Sequence, residues 1–122
     1  MRVSIAVVVL TMASASHAAA QPEHYALRDA ADLARVCATP STSPDAATAA
    51  AFCHGFLAGA YTYSLAVTSP AERLVCPPDP APSRSKVAND FVTWMKARPQ
   101  LARDNAADAL FRFAAEVFPC KR

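Results

Sequence analysis

The sequence predicts an all-α fold: a small disulfide-bonded domain of four to five helices around a central buried helix. Three observations support this prediction. Ala is abundant and β-branched runs are nearly absent after residue 10, which favours helix over sheet. Most of the ten prolines fall between helical patterns and only two glycines are present, so the connections are expected to be short and stiff. Four cysteines in 122 residues are typical of a small exported protein with two disulfides.

Composition and charge indicate a folded domain and argue against nucleic-acid binding. Hydrophobic residues make up 53% of the chain and charged residues 18%, as in one folded domain. The formal net charge is +2, and no run of Lys or Arg forms a basic stripe. A nucleic-acid partner is therefore not expected.

Residues 1–20 are predicted to be a signal peptide. An Arg precedes a short apolar region at 3–13, and small residues follow where a signal peptidase cleaves. The apolar region is too short to span a bilayer. Cleavage after Ala18 or Ala20 would leave a helical domain, residues 21–122, in an oxidising compartment with no membrane span.

The first helical pattern has one apolar stripe and a polar side. The stripe consists of Ala26, Ala30, Leu33, Ala34 and Cys37. Asp32 and Arg35 are expected to face away from it. The helix should end at Thr39, because the residue before a proline is pushed out of the α region.

The second helical pattern, from Ser43-Pro44 to about Val67, is apolar on nearly every side. A helix of this kind is predicted to be buried, as the centre of the domain. Gly55 and Gly59 lie on one face, and each lowers helix propensity by about 1 kcal/mol relative to Ala. We therefore expect another helix to pack closely against them, so that Gly59→Leu destabilises the domain by about 1–3 kcal/mol.

Two further helices are predicted after a proline-rich stretch. Residues 77–82 contain four prolines and should form an extended, exposed segment. Ser83 is a suitable N-cap for a third helix, which should end before Arg98-Pro99, and a fourth begins at about Asp104. The predicted stripes are Val87, Phe91, Trp94 and Met95 on the third helix, and Ala107, Leu110, Phe111, Ala114, Val117 and Phe118 on the fourth.

The cysteines are predicted to pair as Cys37–Cys53 and Cys76–Cys120. In an antiparallel helical hairpin the end of helix one lies beside the start of helix two, which brings Cys37 near Cys53. The start of helix three likewise lies beside the end of helix four, which brings Cys76 near Cys120. On the chain-entropy model the two loops contribute about 3 and about 4 kcal/mol. One difficulty is that Cys53 lies more than two turns inside the predicted second helix. Zinc is not expected, because no Cys-x-x-Cys spacing is present.

The sequence contains no pattern typical of an active site. Cys53 and His54 are adjacent, and adjacent helical residues point about 100° apart, so they do not form a catalytic dyad. No Gly-rich phosphate loop is present, and the carboxylates are scattered along polar faces. We expect neither a catalytic residue nor a metal or cofactor, and hence no enzyme.

Several segments in order resemble the Rap1a/Tai family of immunity proteins. They are Cys53-His54-Gly55-Phe56-Leu57-Ala58-Gly59, Cys76-Pro77, the stripe before Arg98-Pro99, and Phe118-Pro119-Cys120. The resemblance covers roughly residues 30–120. It implies a periplasmic helical protein, in some members a dimer, that binds and inhibits a peptidoglycan amidase effector of a type VI secretion system. The structural roles that it implies fall on Cys53, Gly55, Phe56, Gly59, Cys76 and Cys120.

One departure from the family pattern indicates where a partner binds. Many relatives have a Gly-containing turn after Cys76, where this chain has the proline-rich stretch. The predicted partner-binding residues are Pro77, Pro78, Asp79, Pro80, Pro82 and Arg84. A plain connecting loop is the alternative for this stretch. For the whole protein, the alternative is a periplasmic helical protein with another role, such as a stress chaperone or an envelope accessory factor, because a fold does not fix a function.

Overall fold

Four α-helices joined by short connections form the described part of the chain, residues 25–121 of a computed structural model. The helices are α1 (Ala30–Cys37), α2 (Ala46–Val67), α3 (Arg84–Lys96) and α4 (Ala106–Val117). Two 3-10 turns lie at Pro70–Glu72 and Pro99–Leu101. Within residues 25–121 no strand is present, and Val75 and Pro119 form an isolated bridge. The predicted all-α class is confirmed.

The N-terminal prediction lies outside this range. The predicted signal peptide, residues 1–20, is not among the described residues. None of the four helices combines the length and the apolar character that a membrane span requires.

The shortest helix, α1, lies at the centre of the domain. It contacts α2, α3 and α4, and Ala30 and Leu33 are completely buried. Its first N–H groups have partners in the connection between α3 and α4. The Ala30 N–H donates to the Asp104 carbonyl at 2.8 Å, and the Ala31 N–H donates to the Ala102 carbonyl at 3.0 Å. These bonds satisfy N–H groups that a buried helix start would otherwise leave unpaired.

The sequence had indicated α2 as the central buried helix, but in the structure the central buried helix is α1. With 22 residues α2 is about 33 Å long, whereas α1 with 8 residues is about 12 Å long. Only Ala49, Cys53 and Leu57 of α2 are buried, and Tyr63 is 68% exposed. Much of the apolar character of α2 comes from alanine, whose small side chain exposes little apolar surface when it faces solvent.

The predicted close packing at the α2 glycines is wrong. Gly55 and Gly59 are both exposed, and a Cβ added at either would meet no atom within 4 Å. The physical reason is that α1 and α3 cover one face of α2 and the glycines lie outside it. Gly59→Leu is therefore not expected to overpack the domain. Phe56, assigned with the glycines to close packing, is half-buried at the edge of the core.

Replacing either glycine by Ala is expected to stabilise the protein by about 1 kcal/mol, because Gly is a poor helix former at an exposed interior position. Gly55→Ala, Gly59→Ala and the double variant should each raise the urea midpoint of unfolding. Ala51→Gly, at an exposed position on the same helix, is the matched control and should lower it. An unchanged or lower midpoint for the double variant would contradict this account of α2.

Both disulfides have the predicted pairing. The Cα atoms are 5.1 Å apart in Cys37–Cys53 and 4.9 Å apart in Cys76–Cys120. No free cysteine occurs among the described residues. Cys53 does lie two turns inside α2, and the connection 38–45 is long enough to bring the end of α1 to that point.

The core-facing side of α4 differs from the predicted stripe. The buried residues of α4 are Ala106, Ala109, Leu110 and Phe113. Phe113 is 1% exposed and makes edge-to-face contacts with Phe91 (5.5 Å between ring centroids) and Trp94 (5.9 Å). Val117, predicted in the stripe, is 41% exposed. The helix is thus rotated so that Phe113 enters the core, whereas the predicted face of α3 is confirmed.

Asp32 was expected to face away from the core, but it is buried. Its carboxylate accepts hydrogen bonds from the Arg28 Nε and from the Arg28 backbone N–H, each at 3.1 Å. Arg35 Nη2 is 3.4 Å away on the other side. These groups, the Arg28 side chain above all, lower the pKa of Asp32 from 3.8 to about 2. A carboxylate can therefore be buried in α1 because cations flank it.

Stability is expected to fall as the pH drops from about 4 towards 2. The folded-state pKa of Asp32 lies below its ordinary value, so its contribution is complete above pH 3.8 and is lost as the pH falls through about 2. Asp32→Asn should lower the urea midpoint of unfolding at pH 7. As the pH drops from about 4 towards 2, the midpoint of this variant should fall less than that of the parent. Asp108→Asn, in an exposed pair with Arg112, is the control and should change both little. Identical acid profiles for Asp32→Asn and the parent would contradict the prediction.

Candidate functional site

The proline segment, residues 77–82, is held firmly where it begins. Cys76, which precedes it, is bonded to Cys120. The Cys76 N–H also donates to the Phe118 carbonyl at 2.8 Å. A covalent bond and a backbone hydrogen bond therefore join the start of the segment to the residues that follow α4.

The end of the proline segment is fixed by a helix cap. Ser83 has an extended backbone, and its Oγ accepts a hydrogen bond from the Lys86 N–H at 3.1 Å. This is the predicted N-cap of α3, and Arg84 is the first residue of that helix. The segment is thus tied to α4 at one end and to α3 at the other.

The proline segment has an outward tip and an inward side. Pro78, Asp79 and Pro80 are exposed and form the tip, whereas Pro77 and Pro82 are half-buried. The Asp79–Pro80 peptide bond is cis. The inward side lies against an apolar groove.

This groove, which we call the α2–α4 groove, has a volume of about 270 Å³. Its two long walls are Leu57, Ala58 and Tyr61 of α2 and Leu110, Phe111 and Ala114 of α4. Pro77, Ala81 and Pro82 of the proline segment also line it. The groove exists because α2 and α4 both pack on α1 and make little contact with each other.

The polar groups of the groove are cationic or neutral. His54 and Arg84 line it, and neither has an ion-pair partner among residues 25–121. None of the described lining residues carries a carboxylate. Water in the groove would therefore meet mostly apolar walls, and charged groups at its edge would meet positive charge.

A second cavity of about 210 Å³ lies next to the groove and shares Val75 and Phe111 with it. Arg73 and Glu72 line this cavity. The Ser69 hydroxyl and backbone N–H donate to the Glu72 carboxylate and lower its pKa. The Arg73 Nε is buried and, within the described range, has no hydrogen-bond partner. The carboxylate is thus engaged within its own turn, and Arg73 adds positive charge on this side of the molecule.

The structure brings together only part of the predicted partner-binding set. Pro77, Pro82 and Arg84 line the groove, while Pro78, Asp79 and Pro80 are at the tip and do not. Sequence reasoning missed the helical walls of the groove. One feature of the sequence did point to these walls. The second helix is apolar on nearly every side, and the rest of so short a chain cannot cover all of its sides.

The groove and the proline segment offer a surface for binding. Across residues 25–121, no three His, Cys, Asp or Glu side chains are placed to hold a metal ion. Most residues that line the groove with His54 are apolar, and none of those described is Ser, Thr, Cys, Asp or Glu. What the surface offers is a rigid projection beside an apolar depression.

Comparison with known proteins identifies the family. Residues 29–120 match the family model of the Rap1a immunity proteins. This range includes all four helices, both disulfides and the proline segment. Neither the curated proteins nor the solved structures contain a match. The match extends over most of the chain, which therefore belongs to the Rap1a immunity protein family.

Proposed function

We propose that this protein is exported to the periplasm, where it binds and inhibits a peptidoglycan amidase that a type VI secretion system delivers. It would thereby protect the producing cell from the toxin. The family match over residues 29–120 is the observation that supports this most directly. Two disulfides are consistent with an oxidising compartment such as the periplasm.

The tip of the proline segment is the part of the surface best suited to enter an enzyme cleft. Pro78, Asp79 and Pro80 project into solvent, and their backbone is restricted by proline rings. Both ends of the segment are fixed, by Cys76–Cys120 and by the Ser83 cap. Binding therefore requires little ordering of the backbone, and ordering a flexible loop would reduce the affinity.

Inhibition of this kind needs no chemistry from the inhibitor. Catalytic clefts are concave, and a rigid projection that fills one excludes the substrate. Asp79 at the tip and Arg84 at the base supply polar contacts with the cleft edge. The protein acts as a binding partner of an effector and not as an enzyme.

Co-expression in the periplasm tests this function. The mature protein and a peptidoglycan amidase effector of the producing strain are both directed there, and lysis is followed by culture density. The parent is expected to prevent lysis, and a variant with residues 77–82 replaced by Gly and Ser is expected to fail. The control variant replaces Pro40 and Pro44, which are exposed in the connection between α1 and α2, by Ser, and should protect fully.

The possible outcomes distinguish the proposed inhibition of the amidase from the proposed role of the proline segment in it. Equal protection by the parent and the Gly/Ser variant would place the inhibitory contact elsewhere on the protein. Lysis in the presence of the parent, with no binding of the purified proteins, would contradict inhibition of that amidase. Thermal unfolding of each variant shows whether a loss of protection reflects a loss of folded protein.

A further inference from the structure

We propose that the α2–α4 groove receives an apolar side chain of the effector that is flanked by a carboxylate, and that Arg84 pairs with that carboxylate. This inference rests on the proposed function and assigns to the complex a second contact beside the proline tip. The groove would hold the anchor residue of the interface, while the tip occupies the cleft.

The size of the groove suits one large side chain. An apolar protein cavity of about 150 Å³ holds a benzene molecule. At about 270 Å³, the α2–α4 groove has room for an aromatic or a long aliphatic side chain. It is open to solvent along one side, as entry of a residue from another protein requires.

The walls of the groove favour an apolar occupant. Leu57, Leu110 and Phe111 line it, and each is fixed on a helix that packs against the core. Water between such walls makes few hydrogen bonds, so its replacement by an apolar group increases affinity. Interfaces of this type concentrate their binding energy in a few side chains that fill desolvated pockets.

The charges at the groove determine what should surround that side chain. Arg84 lines the groove, Arg73 lines the adjacent cavity, and neither is in an ion pair within residues 25–121. Glu72 is engaged by Ser69. Asp79 is the exposed acid of the proline tip and is not among the residues that line the groove. Charge complementarity therefore selects a partner that presents a carboxylate beside its apolar residue.

The position of the groove links it to the proposed contact surface. Pro77 and Pro82 lie on the inward side of the proline segment and also line the groove. The tip and the groove therefore belong to adjoining parts of the surface, which one partner can contact together. Arg84 is at the junction, as the first residue of α3.

Two variants test the groove, each with a matched control. Ala114→Trp fills the groove from α4, and its control, Ala51→Trp, adds the same side chain at an exposed position of α2. Arg84→Glu reverses the rim charge, and its control, Lys96→Glu, makes the same change at the far end of α3. Binding to the amidase that the parent inhibits in the co-expression test is measured by calorimetry. Both groove variants should raise Kd at least tenfold, and both controls should stay within twofold of the parent.

A second measurement does not depend on variants that fold. Amide chemical shifts of the ¹⁵N-labelled parent are recorded with and without the unlabelled amidase. Changes at Ala58 and Ala114 are expected in addition to changes at Asp79 and Ala81, the two residues of the proline segment that have an amide N–H. Changes in the proline segment alone would overturn the groove contact even if Ala114→Trp were unfolded.

The remaining outcomes distinguish the groove from the proposed function. If the parent binds the amidase and both groove variants bind equally well, the groove contact is wrong and the function stands. If the parent does not bind, the proposed function fails and the groove contact fails with it. If Ala114→Trp converts a parent dimer to a monomer with unchanged amidase affinity, the groove holds a second copy of this chain. A retained apolar small molecule in native mass spectrometry, again with unchanged affinity, would assign the groove to that molecule.

Discussion

The variant Cys76→Ser/Cys120→Ser is expected to unfold about 4 kcal/mol more easily than the parent. The bond closes a loop with a sequence separation of 44, and its loss restores the entropy of that loop to the unfolded chain. Cys76 is exposed and Cys120 is half-buried, so the substitutions remove little apolar contact. For a domain of this size, the melting temperature should fall by at least about 15 °C.

This prediction is checked by thermal unfolding of the parent, the double variant and the parent in reductant. The parent in reductant loses both bonds and should unfold at the lowest temperature. Stabilities of small domains are about 5–15 kcal/mol, so the reduced protein is expected to be largely unfolded at 37 °C. A double variant that melts within about 5 °C of the parent would show that the loop is already ordered in the unfolded chain.

Leu33→Ala is expected to destabilise the protein by about 2–5 kcal/mol. Leu33 is completely buried in α1, the helix that contacts each of the other three. Removing its side chain leaves a cavity at the meeting point of the helices, and the loss includes both the transfer and the cavity contributions. Denaturant unfolding at pH 7 gives the measurement.

The matched control is Leu74→Ala, because Leu74 is 59% exposed. The same chemical change there should alter the free energy of unfolding by no more than about 0.5 kcal/mol. Similar losses at Leu33 and Leu74 would mean that α1 is not the centre of the core. The pair thus tests the point on which the sequence was least informative, which helix is central.

The helix ends could be predicted because capping residues and prolines determine them. The disulfide pairing could be predicted from the order of the helices in antiparallel hairpins. Ser83 caps α3 in the sequence and in the structure, and Pro40 and Pro99 both lie between helices. The cysteine pairing followed from the order of the helices along the chain. The caps and helix ends depend on local sequence, and the pairing required only that consecutive helices run antiparallel.

The side of α4 that faces the core could not be predicted, because two sides of this helix carry apolar residues. Phe113 enters the core and Phe111 lines the groove, yet in the sequence either residue could face inward. The choice depends on where α1 lies, and α1 is only eight residues long. Its central position also depends on Asp32, a residue whose charge had suggested exposure. Contacts between helices determine which side of α4 is buried and where α1 lies. The spacing of apolar residues along one helix carries no information about those contacts.

The candidate site was predicted in part for the same reason. The proline segment was evident from its composition, and its two anchors, Cys76 and Ser83, were evident from their residue types. The α2–α4 groove arises from a space between two helices that are far apart in sequence. Such a space has no sequence signature of its own.

The Cys76–Cys120 bond also closes a covalent ring that contains the proline segment, α3 and α4. A protease that cuts one peptide bond inside this ring, such as one in the turn at 99–101, releases no fragment. The two pieces stay tethered, and the proline segment stays attached to α4. A single cut between α2 and Cys76, by contrast, would leave α1 and α2 joined to the ring by packing alone. The proline segment, which is proposed to enter the enzyme cleft, therefore lies in a ring that one proteolytic cut cannot divide.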